Sequence, residues 1–244
     1  MEWFQAAELV TQHVVRINTP QGSGTGFLVT HAVNQEILGI ATAAHVINHA
    51  HYWEQPIRVQ SAGSGESVLL RPADRAIYVD EARDTAVILI KSNALQFGAA
   101  PLPLIETGYN LKIGNTIGWL GYPAISGTHL CFFTGTVSAW APEMSAYFVD
   151  GVAINGVSGG PAFASYGERL EIIGVVSAYM PNRVTGETLP GLGIVRDVYQ
   201  FQEMIRRMTS LEEAKAQETT PTEPPAAPSS EAETGSPTLA RRAT

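Results

Sequence analysis

Cysteine is almost missing from this sequence. Cys131 is the only one among 244 residues, so no disulfide can form within the chain and no thiolate zinc site is expected. The fold has to be held by its core. Charge is sparse too, at 16% of residues, and positive charge is the scarcer sign. There are 15 Lys and Arg against 23 Asp and Glu, a formal net charge of -8. An acidic balance argues against nucleic acid or an anionic membrane as the main partner. No run approaches the ~18 consecutive apolar residues of a membrane span. The first ten residues, MEWFQAAELV, carry Glu2 and Glu8 and no basic segment, unlike a secretory signal. These absences together predict a cytoplasmic protein.

What is present is an ordinary globular composition, 45% hydrophobic. The length allows one large domain or two small ones with real cores. Residues 1–11 space Trp3, Phe4, Ala7 and Val10 on one helical face. This predicts a short N-terminal helix packed on the body, with a homo-oligomer contact through Trp3 and Phe4 as the alternative. From residue 12 the texture becomes short β-branched runs broken by Gly, Pro, Asn and Asp. Residues 12–95 hold the first set, including 25–30, 37–43, 57–60, 67–71, 76–79 and 85–90. Residues 96–112 contain Pro101 and Pro103 and no strong strand, and read as a connection. The second set fills 113–196, at 116–120, 130–140, 147–154, 170–177 and 193–195. About a dozen strands in two sets predict an all-β fold of two packed six-stranded antiparallel barrels. Residues 197–210 form a C-terminal helix, with Val198, Phe201, Ile205 and Met208 on a core-facing stripe. Residues 211–244 are rich in Pro, Glu, Ser and Thr and read as a disordered tail.

The most distinctive stretch is Gly156-Val157-Ser158-Gly159-Gly160-Pro161. Glycine permits turns and close backbone approach that other residues resist. A serine on such a turn can expose its hydroxyl beside converging N–H groups, as a nucleophile with an oxyanion site requires. By itself the run fits a glycine-rich loop between strands equally well. A nucleophilic serine needs a base, and the sequence offers six histidines. His45 follows an apolar strand in Thr42-Ala43-Ala44-His45, where small neighbours leave room around the ring. His49 and His51 have no comparable frame and read as solvated loop residues. His45 and His49 have a metal-ligand spacing, but no carboxylate or third ligand accompanies them. No metal and no other cofactor is expected. The base in turn needs a carboxylate on its other nitrogen. Asp84 leads into the apolar run Thr85-Ala86-Val87-Ile88, where its charge must find a partner. Its rivals Asp74 and Asp80 lie in a more polar stretch and read as exposed.

The resulting order is His45, Asp84, Ser158, with the first two before the 96–112 connection and the serine after it. Gly24-Thr25-Gly26-Phe27-Leu28-Val29, Thr42-Ala43-Ala44-His45-Val46, Asp84-Thr85-Ala86-Val87 and Gly156-Val157-Ser158-Gly159-Gly160-Pro161 together resemble a trypsin-like serine protease. The similarity is closest to the disulfide-free HtrA/Deg-type protease domain, over roughly residues 12–208. The resemblance implies the chymotrypsin double barrel, a polypeptide substrate, and serine endopeptidase activity with His45, Asp84 and Ser158 as its triad. It places the oxyanion donors at the backbone N–H groups of Gly156 and Ser158. It implies that Ser177 lies on the strand that pairs with substrate backbone. It draws the specificity pocket from Val152 to Asn155, from Ser177, Ala178 and Tyr179, and from Leu192 to Ile194. With Val152 at the pocket base, a preference for small or medium apolar residues follows. Two departures stand out. Digestive enzymes of this type have an aspartate before the nucleophile that pairs with a new N-terminus, and here Val157 stands there. HtrA-type enzymes usually carry a PDZ domain, and here the expected tail follows instead. A catalytically latent binding or chaperone-like module on the same fold is the alternative reading.

Overall fold

A computed structural model describes residues 1–32, 35–126, 128–181 and 188–219, with the backbone alone for 179–181, 188–191 and 215–219. In chain order the elements are α1 (Trp3–Thr11), β1 (Val14–Thr19), β2 (Gly22–Ala32), β3 (Ile37–Thr42) and α2 (Ala44–Tyr52). Then come β4 (Ile57–Ser61), β5 (Ser67–Leu70), β6 (Arg75–Asp80) and β7 (Thr85–Lys91). The second half holds β8 (Thr116–Gly121), β9 (Cys131–Ala141), β10 (Ala146–Asp150), β11 (Pro161–Tyr166), β12 (Arg169–Pro181) and β13 (Thr188–Asp197). Helix α3 (Tyr199–Thr219) follows.

The second half closes into the expected six-stranded antiparallel barrel, in the order β10-β13-β12-β11-β8-β9. The first half differs in detail. Its hydrogen-bonded ladder is a seven-stranded sheet, β5-β4-β1-β2-β3-β7-β6, with β5 and β6 unpaired to each other. A 3₁₀ turn at Pro72–Asp74 separates those two strands in sequence. Arg75 spans the seam instead. Its guanidinium donates to the carbonyls of Leu70 and Gln55, both at 2.7 Å, and of Ala50 at 3.3 Å. Ala50 belongs to α2, so the same bonds anchor that helix.

Strand alternation explains how the halves join. On β2, Phe27 and Val29 enter the core shared with the second barrel, while Leu28 between them enters the interior of the first sheet. β7 does the same with Val87 against Ala86 and Ile88. Burying side chains of this size contributes about 1.5–3 kcal/mol each. Helix α3 seals the junction, with Phe201 edge-on to Phe27 at 6.2 Å. α3 runs to Thr219, nine residues past the expected boundary at 210, because 211–219 contain no Gly or Pro to stop it. The rest of the expected tail lies outside the described residues.

Three other features differ from expectation. α1 buries Ala6 and Val10, and Trp3 packs on Phe132 and Phe163 with ring centroids at 5.8 and 6.1 Å. Phe4 is 70% exposed, so it does not share that face. β10 stops at Asp150, short of the expected 154. At Gly151 the chain passes so close to Trp119 that a Cβ would overlap the indole. β11, which was not anticipated, begins on Pro161, a position where a strand tolerates the missing N–H. The connection between the halves is irregular as expected, and is pinned to β12 through Ile105 N–H to the Ile172 carbonyl at 2.9 Å. No helix among the described residues is long and apolar enough to cross a membrane.

Candidate active site

The site lies where the two halves meet. His45 is in the first turn of α2. Helix N-termini leave backbone N–H groups without partners, and Ala43, the residue before α2, has no side chain to supply one. Asp84 does so from the loop between β6 and β7. Its carbonyl accepts from Ala44 N–H at 3.2 Å and its Oδ1 from His45 N–H at 2.9 Å. Asp84 has a left-handed backbone, φ 51°, a conformation that aspartate tolerates better than most residues. That turn brings both acceptors to one helix end. The carboxylate also meets the ring of His45, with Nδ1 at 3.0 Å from Oδ1 and 2.9 Å from Oδ2. His45 Nδ1 therefore carries a proton, and Nε2 is left for other partners.

Ser177 completes the surroundings of Asp84. It is the extra residue of a β-bulge where the β12–β13 register slips between Val176 and Ala178. Bulges re-aim side chains, and this one points the Ser177 hydroxyl at Asp84 Oδ2, 2.5 Å away. Burial pushes the Asp84 carboxyl up. The hydrogen bond and charge of His45, the Ser177 hydroxyl and the His45 backbone N–H together outweigh this and hold it below its ordinary value.

Ser158 lines the same cleft as His45. Its hydroxyl donates to the Ser177 carbonyl at 3.1 Å and makes no hydrogen bond to His45. The preceding turn has Val157 N–H donating to the Ile154 carbonyl at 3.1 Å, with Gly156 at φ 90°. Only glycine suits that corner, since a Cβ would lie 2.3 Å from the Tyr122 carbonyl oxygen. Val157 is fully buried and packs on Gly121. Among the described residues, neither the Gly156 nor the Ser158 N–H donates to a protein acceptor.

Two cavities flank His45 and Ser158. One, of about 290 Å³, is lined among the described residues by Ala153, Ile154, Asn155, Val176, Ser177 and Ala178. Asn155, Ser177 and Ala178 of the expected pocket residues are among this lining. Val152 and Leu192 do not line it. Val152 turns its carbonyl to the Trp119 indole N–H at 3.1 Å and is 46% exposed, and Leu192 pairs with Asp150 across β10. The backbone of Tyr179 pairs with Gly193, and its side chain lies outside the described residues. Ala153 and Ile154 also line it and fall within the expected 152–155 segment, and Val176 is a wall residue outside the expected segments. The second cavity, about 490 Å³, is lined by Gln21, Ser23, Val46, His49 and Ala124, among others. His49 and His51 are therefore helical rather than loop residues, both within α2. His49 Nε2 lies 2.8 Å from Gln21 Nε2 and its Nδ1 lies 3.2 Å from Gln55 Oε1. The four-residue spacing of His45 and His49 was the available signal for a shared helix. No group of His, Cys, Asp and Glu among the described residues could hold a metal.

The family model for the trypsin-like peptidase domain matches residues 24–175. Among solved structures, the serine endoprotease of Yersinia pestis superposes with a TM-score of 0.64 at 20% identity, over 86% of this chain and 67% of that one. Deg5 gives 0.61 at 22% identity, over 82% and 90%. Rv3671c of M. tuberculosis, in an inactive form, gives 0.56 at 18% identity, over 89% and 93%. No curated protein matches the chain by sequence. At these identities the structures establish a shared fold.

Proposed function

The chain belongs to the trypsin-like peptidase family, and from that premise we propose that it is a serine endopeptidase acting through an acyl-enzyme. The observation that carries this reading is the His45–Asp84 pair, which opens on the cavity holding Ser158 beside two unpartnered N–H groups. Ser158 attacks the scissile carbonyl. His45 takes the proton through Nε2 and returns it to the leaving amine. Asp84 fixes the tautomer and offsets the imidazolium charge. The Gly156 and Ser158 N–H groups receive the developing oxyanion. Water then releases the acyl group.

The hydroxyl of Ser158 must first leave the Ser177 carbonyl. A peptide laid along β12 presents its own N–H to that carbonyl, which frees the Ser158 hydroxyl for His45. The smaller cavity receives the side chain before the scissile bond. Its walls of Ala153, Ile154, Val176 and Ala178 carry no charge, which favours small or medium apolar groups. The larger cavity, with His49 and Gln21, takes the leaving side of the substrate. Self-association through α1 rests on Phe4, since Trp3 is already packed.

One observation favours a second reading, a latent binding module. The Ser158 hydroxyl is held by Ser177 rather than by His45. A fluorophosphonate probe separates the two. The endopeptidase reading expects labelling of the wild type and none of Ser158→Ala. Wild-type protein that never labels, with or without a peptide bound, favours the latent module. A peptide library tests the pocket, and dominant cleavage after Arg or Lys would sink the apolar preference.

A further inference from the structure

The two N–H groups that would receive an oxyanion are aimed by the carbonyls that precede them. In a trans peptide unit, the C=O of one residue and the N–H of the next point in opposite directions. The Asn155 carbonyl is held by Ala124 N–H at 2.8 Å, so the Gly156 N–H faces away from Ala124. The Val157 carbonyl is held by Gly160 N–H at 3.0 Å, which sets the Ser158 N–H in the same way. The remaining two carbonyls of the turn converge on one residue of the other half. Thr25 Oγ1 donates to the Gly156 carbonyl at 2.8 Å, and Thr25 N–H donates to the Ser158 carbonyl at 2.8 Å.

The Thr25 hydroxyl has no freedom in this arrangement. Tyr122 N–H donates to it at 3.0 Å. An N–H can only donate, so the hydroxyl proton is committed to Gly156. Tyr122 also lies two residues before Ala124, which holds Asn155. One buried side chain, at 0% exposure, thereby ties both the turn and the segment that braces it. The neighbouring Val157 brings no charge that could do this.

We infer that Thr25 is the positioning residue of the oxyanion turn, and that its hydroxyl holds Gly156 in the left-handed shape that presents the N–H. The inference rests on the reading of Ser158 as the nucleophile for its catalytic consequence, and on geometry alone for its structural one. Thr25 touches neither substrate nor the reacting atoms.

Thr25→Val removes the hydroxyl at nearly constant volume, and Thr25→Ser keeps it. Crystal structures of the two variants and kinetics on one peptide substrate test the idea together. The expected result is that Thr25→Ser keeps the Asn155 carbonyl on Ala124 and a kcat close to wild type. Thr25→Val should reverse the Asn155–Gly156 peptide and lower kcat about 100-fold, with KM changed less than about threefold. Thr25→Cys, a weak donor of similar size, takes its place if Thr25→Val does not fold. A variant without the hydroxyl that keeps the turn, with kcat within about threefold of wild type, overturns the inference. If even the wild type is inert to phosphonates, the endopeptidase reading fails, and the turn in the variant crystals still decides the role of Thr25.

Discussion

Ser177 and Asp84 meet across the junction of the two halves, with the hydroxyl of one 2.5 Å from the carboxylate of the other although they are 93 positions apart in sequence. The backbone of Ser177 accepts from Ser158. One residue therefore touches the carboxylate with its side chain and the candidate nucleophile with its main chain. Replacing it with alanine leaves the second contact and removes the first. A hydrogen bond to a charged group contributes about 1.5–3 kcal/mol. Ser177→Ala is expected to lose that much in urea unfolding and to lower kcat more than it raises KM. Unchanged stability would show that the bond contributes nothing.

Acid should weaken the fold through Asp84. Burial raises this carboxyl, and its bonds to His45 and Ser177 lower it by more, so its folded value lies below the ordinary one. The folded protein then binds fewer protons here than the unfolded chain. The resulting stability is fully present above the ordinary aspartate value and is lost as pH falls through the lowered folded value. The difference in unfolding free energy between wild type and Asp84→Asn should be largest near neutrality. It should shrink as pH drops below about 4. A difference that grows in acid would reverse the sign of this argument.

Gly159 is irreplaceable by a residue with a side chain. Its φ is 87°, and a Cβ would lie 1.9 Å from the Thr25 carbonyl oxygen and 2.3 Å from Thr42 Oγ1. Backbone strain and overlap on both sides predict that Gly159→Ala costs about 3 kcal/mol or more. Thermal unfolding measures it, and a Tm within about 2 °C of wild type would contradict it.

Ala153 lines the smaller cavity. Ala153→Leu is expected to fill part of its volume. Cleavage after Val or Leu should fall by about tenfold or more relative to cleavage after Ala. Competition between paired peptides reads this directly. An unaltered ratio would place the substrate side chain elsewhere.

The features legible in sequence were those with a local chemical signature. The order of His45, Asp84 and Ser158 was readable because each sits in its own short frame of small or apolar residues. The second barrel was readable from its alternating runs. β11 was not, because Gly159-Gly160-Pro161 reads as a turn and conceals the strand that starts on its proline. α2 was hidden because its buried positions, Ala44, Ile47 and Ala50, are few and the residues between them are polar. Thr25 gave no sign of its role. Its partners are the main-chain groups of Gly156, Ser158 and Tyr122, which have no signature in sequence and come close only when the halves dock. The placement of Val152 was not readable for a related reason, since the Trp119 indole fixes the direction of its carbonyl from another strand.

The contacts that cross the junction also set an order of events. Gly156 is anchored 131 positions away, at Thr25, and such distant contacts form late because loop closure must precede them. During synthesis His45 and Asp84 emerge well before Ser158, and a chain held at either stage has no braced nucleophile turn. The brace on the Gly156 turn is therefore among the last features the molecule gains as it folds.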